Sequence, residues 1–220
     1  MLRSLVRGPA GESESLAAVS TNLPIQPDNV AHVNVKIFAR QPVEIELGDA
    51  IPVFHHWIQD AVLDELVIDV ADYRHVPDGP GVMLIGDEAN YSLDRAFNRL
   101  GLLYNRKRAS DGVLQDKLLK AFGSALLACS HLEKEPPFEG KLRFDAGECE
   151  VILNDRLLAP NTPETWEALR PEFTKFFDGL FGTSRYSIAH VGEPRERFRV
   201  AVKADSAIDV ASILEAFTPA

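Results

Sequence analysis

Apolar residues take every second place from 33 to 39, where Val33, Val35, Ile37 and Ala39 interleave with Asn34, Lys36 and Phe38. A period of two predicts a half-buried strand. The period changes after Pro52. Val53, Phe54, Trp57, Ile58, Ala61 and Val62 recur at helical spacing, and His55, His56, Gln59 and Asp60 fall on the other side, which predicts an amphipathic helix. Strand-like runs return at 65–74 and 82–93, around the turn Pro77-Asp78-Gly79-Pro80-Gly81, and again at 99–107. Leu114, Leu118, Phe122, Ala125, Leu126, Cys129 and Leu132 then mark a long helix, capped by Ser110-Asp111-Gly112 and stopped by Pro136-Pro137.

The remaining chain repeats this order. A hairpin is predicted from 142–144 and 149–157 about the turn Asp145-Ala146-Gly147. Thr162 and Pro163 suit the first positions of a helix, and Pro171 is expected to restart it. Phe173, Phe176, Phe177, Leu180 and Phe181 give it an apolar face. Strands at 185–191 and 198–203 and a helix from Ser206 complete the chain. The predicted fold class is α+β: a mostly antiparallel sheet with helices packed on one face. Pro52-x-Phe54-x-x-Trp57-Ile58 parallels Pro171-x-Phe173-x-x-Phe176-Phe177, which is consistent with two pseudo-repeated halves, 31–135 and 138–220, within one unit. Residues 1–30 lack periodicity and carry Pro9, Gly11, Pro24 and Pro27, so they read as a mobile arm.

Composition narrows the function classes. The 220 residues carry a net charge of -10, which argues against a nucleic-acid partner, since phosphate binding needs clustered cations. The short basic runs at 106–108 and 195–199 read as solvated turns. No apolar run is long enough to span a membrane. Cys129 and Cys149 sit in apolar patterns without basic neighbours and read as buried thiols in a reducing compartment, which places the protein in the cytoplasm.

Candidate chemistry concentrates between 65 and 107, where Asp69, Asp72, Asp87 and Glu88 interrupt runs that otherwise look buried. A buried carboxylate needs a partner. A hairpin pivoting at Gly79 would set Asp87 opposite Ala71 and Glu88 opposite Val70, close to Asp69 and Asp72. Asp69, His75 and Glu88 are then the candidate catalytic or metal-ligating set of a metal-assisted hydrolase that also uses Asp72, although no H-E-x-x-H or comparable spacing supports a metal. Asn90-Tyr91 and Tyr104-Asn105-Arg106 repeat an Asn/Tyr pair on neighbouring strands. Asn90, Tyr91, Tyr104 and Arg106 could orient a small ligand, as in a sensor. Asp72, Tyr73 and Asp87 complete the candidate binding residues. No nucleophile elbow, P-loop or Rossmann turn is present, and no cofactor is implied. The reading that combines these observations is a binding or interaction domain without evident catalytic machinery. It would take a protein partner or a second copy of itself on the wet sheet face or at the hairpin tip Asp78 to Gly81.

Overall fold

Val33, Val35 and Ile37 are buried, as their spacing requires, yet so are Asn34, Lys36 and Phe38 between them. The strand they form, β1 (Val33–Ala39), is buried along its whole length because it lies in the interior of one eight-stranded sheet. The structure is a computed structural model and describes residues 25–217. Its other strands are β2 (Val67–Tyr73), β3 (Gly81–Gly86), β4 (Ala89–Asp94), β5 (Gly101–Arg106), β6 (Phe144–Leu153), β7 (Tyr186–Val191) and β8 (Phe198–Ala204). The spatial order is β2-β3-β4-β5-β1-β6-β8-β7, and every neighbouring pair is antiparallel.

Four helices, α1 (Ala50–Asp60), α2 (Leu114–Leu132), α3 (Pro163–Phe181) and α4 (Val210–Phe217), cover one face. The α2 stripe of Leu118, Phe122, Ala125 and Leu126 is fully buried. Phe122 meets Phe176 and Phe177 of α3, with ring centroids 5.1 and 5.5 Å apart, and Phe173 stacks on Phe198 of β8. One apolar core runs through both halves of the chain. The fold class expected from periodicity is therefore the one observed.

Several local expectations are corrected. The run 82–93 is two strands, not one, because Asp87 and Glu88 form the turn between β3 and β4. The predicted hairpin at 142–157 is the single strand β6, which keeps β1 company on one edge and β8 on the other. Pro171 lies inside one continuous α3. It is exposed, so the ring points away from the core and the helix carries through it. The last helix starts at Val210, after a stretch in which Ile208 N donates to Asp145 Oδ1 at 2.9 Å.

Of the arm predicted over 1–30, residues 1–24 lie outside the described residues. Residues 25–30 are tied to α2. Asp28 Oδ1 accepts from Leu114 N at 2.9 Å and so caps that helix from a distance, while Lys117 Nζ donates to the carbonyls of Asp28 and Val30.

Candidate functional site

The β2–β3 hairpin pivots two residues earlier than Gly79 would require. Ala71 pairs with Met83 and Asp72 with Val82, which moves Asp87 and Glu88 out of the ladder. The expected approach of Asp87 and Glu88 to Asp69 and Asp72 across the ladder is thereby lost. Asp69 Oδ1 accepts from the adjacent Val70 N at 2.8 Å. Asp72 is held by Arg74 at 2.7 Å, and that guanidinium brings its carboxyl down to about 2. Asp87 pairs with Arg108 at 2.5 Å. Glu88 pairs with Arg106 and Lys120 at 2.5 and 3.1 Å, and both cations lower its value. His75 and Tyr73 are exposed. Among the described residues, no three His, Cys, Asp or Glu side chains are placed to hold a metal ion.

The Asn/Tyr pairs do face each other: Asn90 opposes Asn105 and Tyr91 opposes Tyr104. Strand alternation then divides them. Tyr91 and Tyr104 project under the helices, with ring centroids 5.3 Å apart. Their hydroxyls donate to the two oxygens of Glu65, at 3.1 and 2.9 Å, and Ser124 Oγ lies 3.4 Å from the second. Arg106 Nη1 stands 4.0 Å from the same carboxylate. Burial, followed by the Glu65 charge, pushes both phenols far above the usual tyrosine value. The hollow beside Tyr104 and Arg106 is about 10 Å³, too small for a ligand, so this cluster is a filled polar network. Glu65, its centre, carries no signal in the sequence beyond being one more acid before a strand.

Asn90 belongs to the opposite face, which no α-helix among the described residues covers. There the strands place Met83, Ser92, Leu103, Lys36 and Glu150 in one transverse row. A cleft of about 450 Å³ opens over this row, within the size range of small-molecule sites. The hairpin tip Asp78-Gly79-Pro80 walls one side, and Arg156, Glu196 and Arg197 wall the other.

The cleft floor is charged. Lys36 Nζ lies 3.3 Å from Asp94 Oδ1, and both side chains are over nine-tenths buried. Asp94 is two strands away from Lys36. The lysine reaches it by lying over Gly101 of the intervening β5: a Cβ at Gly101 would stand 2.9 Å from Lys36 Cε and 2.6 Å from the Ile37 carbonyl oxygen. Burial lowers the Lys36 value, against Asp94 and Glu150, which favour its charge. Arg199 Nη1 pairs with Glu150 at 3.2 Å, and its guanidinium faces the Phe97 ring at 5.3 Å. Arg199 is thus part of β8 and of the cleft, which corrects its reading as a solvated turn.

Phe97 is a second unforeseen feature. It is exposed, yet its backbone is left-handed (φ 56°), as is that of Asp78 (φ 52°), and Phe97 N donates to Asp78 Oδ1 at 3.1 Å. A bulky residue held at positive φ is uncommon, and such strain concentrates where side chains must be aimed. Here it aims an aromatic ring at the cleft mouth. Neither Lys36 nor Arg199 could be singled out by local pattern, because the cleft is assembled from strands far apart in the chain. No protein-family model matches this chain, and no curated protein aligns with it significantly.

Proposed function

We propose that this protein is an intracellular binding module whose working surface is the cleft on the face of its sheet opposite the four described α-helices. The observation that carries the reading is a concave, 450 Å³ space floored by a buried Lys36–Asp94 pair and rimmed by Phe97. A buried ion pair adds little to stability compared with an apolar pair of the same volume, so its place under an open cleft favours a recognition role. Mixed apolar walls with a few placed polar groups are the usual make-up of a ligand site. The test is retention of small molecules from a cell extract by the native protein, read by native mass spectrometry against Met83→Trp, whose ring fills the cleft. A bound species lost in the variant is expected. Equal retention by both forms, or none by either, overturns the reading.

A second reading, self-association, is favoured by β2, an edge strand that pairs only with β3 among the described residues; its Ile68 and the preceding Leu66 are 57% and 67% exposed. An edge strand with exposed apolar side chains is a template for a second copy. Light scattering behind a sizing column decides it: a monomer at high micromolar concentration removes the dimer.

A further inference from the structure

The cleft lining sets four acids against four cations, and the charged side chains left without any partner among the described residues are cations. Each acid on its lining is already engaged: Asp94 by Lys36 and by the Ala96 N–H, Glu150 by Arg199, Asp78 by the Phe97 N–H and Glu196 by the Glu193 N–H. The cations are not all engaged. Arg156 and Arg197 make no ion pair and no side-chain hydrogen bond among the described residues. Among the described residues, Arg199 Nε is buried without a hydrogen-bond partner, and so is Ser92 Oγ, on a residue with no exposed surface. Asn34 Nδ2, on the same face and opposite Ile152 of the cleft, is a third such atom. Arg156, Arg197 and Arg199 lie close enough for Arg197 to feel the charges of both others. A guanidinium keeps its charge, so three of them share one recess in which only Arg199 is ion-paired, although Asp94 also bears on Arg197.

We propose that the cleft binds a small organic anion bearing a carboxylate or phosphate group. Arg156 and Arg197 clamp the anionic group, Arg199 Nε and Ser92 supply further hydrogen bonds, and the apolar part of the ligand lies against Phe97. This deepens the cleft-binding reading and rests on it. Planar guanidinium groups suit bidentate contacts to such oxyanions, and charge-assisted hydrogen bonds are the stronger kind. The overall charge of -10 does not oppose this. It disfavours a polyanion spread over the surface, whereas a recess screened by its own walls responds to the groups inside it.

The probes are inorganic phosphate and citrate, titrated at constant ionic strength against sodium chloride and followed by amide NMR and thermal unfolding. Saturable shifts at Ser92, Leu103, Ile152 and Arg197 are expected, with a higher melting temperature. Arg197→Gln and Arg156→Gln should each weaken binding about tenfold or more. Arg108→Gln, whose partner is the distant Asp87, should leave it unchanged. Arg156 is exposed, so its variant separates loss of binding from loss of fold. If neither anion shifts these amides while uncharged members of a fragment mixture do, the anion inference is overturned and the cleft reading stands. If nothing shifts them, both fall.

Discussion

Lys36 on β1 and Asp94 on β4 meet at 3.3 Å across a strand that neither belongs to, and the glycine at position 101 of that strand is what lets them. The pair forms the floor of the cleft, and each partner is expensive to bury alone. Replacing Asp94 by Asn leaves buried Lys36 with only Glu150 to favour its charge, and replacing Lys36 by Met leaves Asp94 with the Ala96 N–H and the Arg197 charge, so each single change should cost up to about 3–5 kcal/mol. The double variant should lose much less than the sum. Urea unfolding of all four forms measures the coupling, and additive losses would show that the two groups do not stabilise each other.

Gly101→Ala probes the same floor from the backbone side. The new methyl meets the Ile37 carbonyl at 2.6 Å, and backbone cannot swing aside as a lysine can. Overpacking of this kind costs about 1–3 kcal/mol. The melting temperature should fall, and backbone amide shifts should change at Lys36 and Asp94. An unchanged stability would mean that β5 has more room than its spacing implies.

The Glu65 cluster makes an alkaline prediction. Tyr91 and Tyr104 have folded values raised above the ordinary phenol value by burial and then by the Glu65 charge. The folded state therefore holds their protons where the unfolded chain has released them. As pH rises beyond about 10, the usual tyrosine value, these two groups destabilise the fold. Titration followed at 295 nm should show tyrosinate appearing late, in step with unfolding. Tyr186, hydrogen-bonded to Asp178 and pushed up to about 12, contributes in the same sense. Glu65→Gln removes the negative charge and should bring the Tyr104 transition down.

The periodicities 2 and 3.6 are written locally, which is why most of the strands, the four helices and their common face could be read from residues such as Val33-Val35-Ile37 and Phe173-Phe176-Phe177. That Asn90-Tyr91 and Tyr104-Asn105 sit on neighbouring strands was legible for the same reason, since both strands are close in sequence, but their register was not. What alternation then does to a pair was harder to see: it sent the tyrosines under the helices and the asparagines to the open face. The register of β2 against β3 failed because the turn consumes residues around Pro77 instead of Gly79. The cleft was out of reach. Lys36, Asp94, Glu150 and Arg199 come from four strands brought together by sheet order, and one charged residue in each strand has no local meaning.

His190 gives a prediction at acid pH, and its surroundings fix the sign. The ring stacks between Trp166 and Phe198 at 6.2 and 5.0 Å, and Nε2 lies 2.6 Å from Asn161 Oδ1. No acidic side chain is paired with it among the described residues, and burial lowers its value below the ordinary histidine one. His131, packed against Trp57, is lowered by burial first and by Lys134 next. In both cases the unfolded chain takes up a proton that the folded one refuses. Stability is therefore highest above about pH 6.5 and declines as pH falls from there to the lowered folded values, below which these groups add no further loss. Proton NMR of the ring Cε1 signals should give both midpoints below the free-imidazole value. His190→Gln, which keeps an amide donor for Asn161, should flatten the decline between pH 6.5 and 5 in urea midpoints. Midpoints at or above the free value, or a decline untouched by His190→Gln, would locate the acid sensitivity in the carboxylates instead.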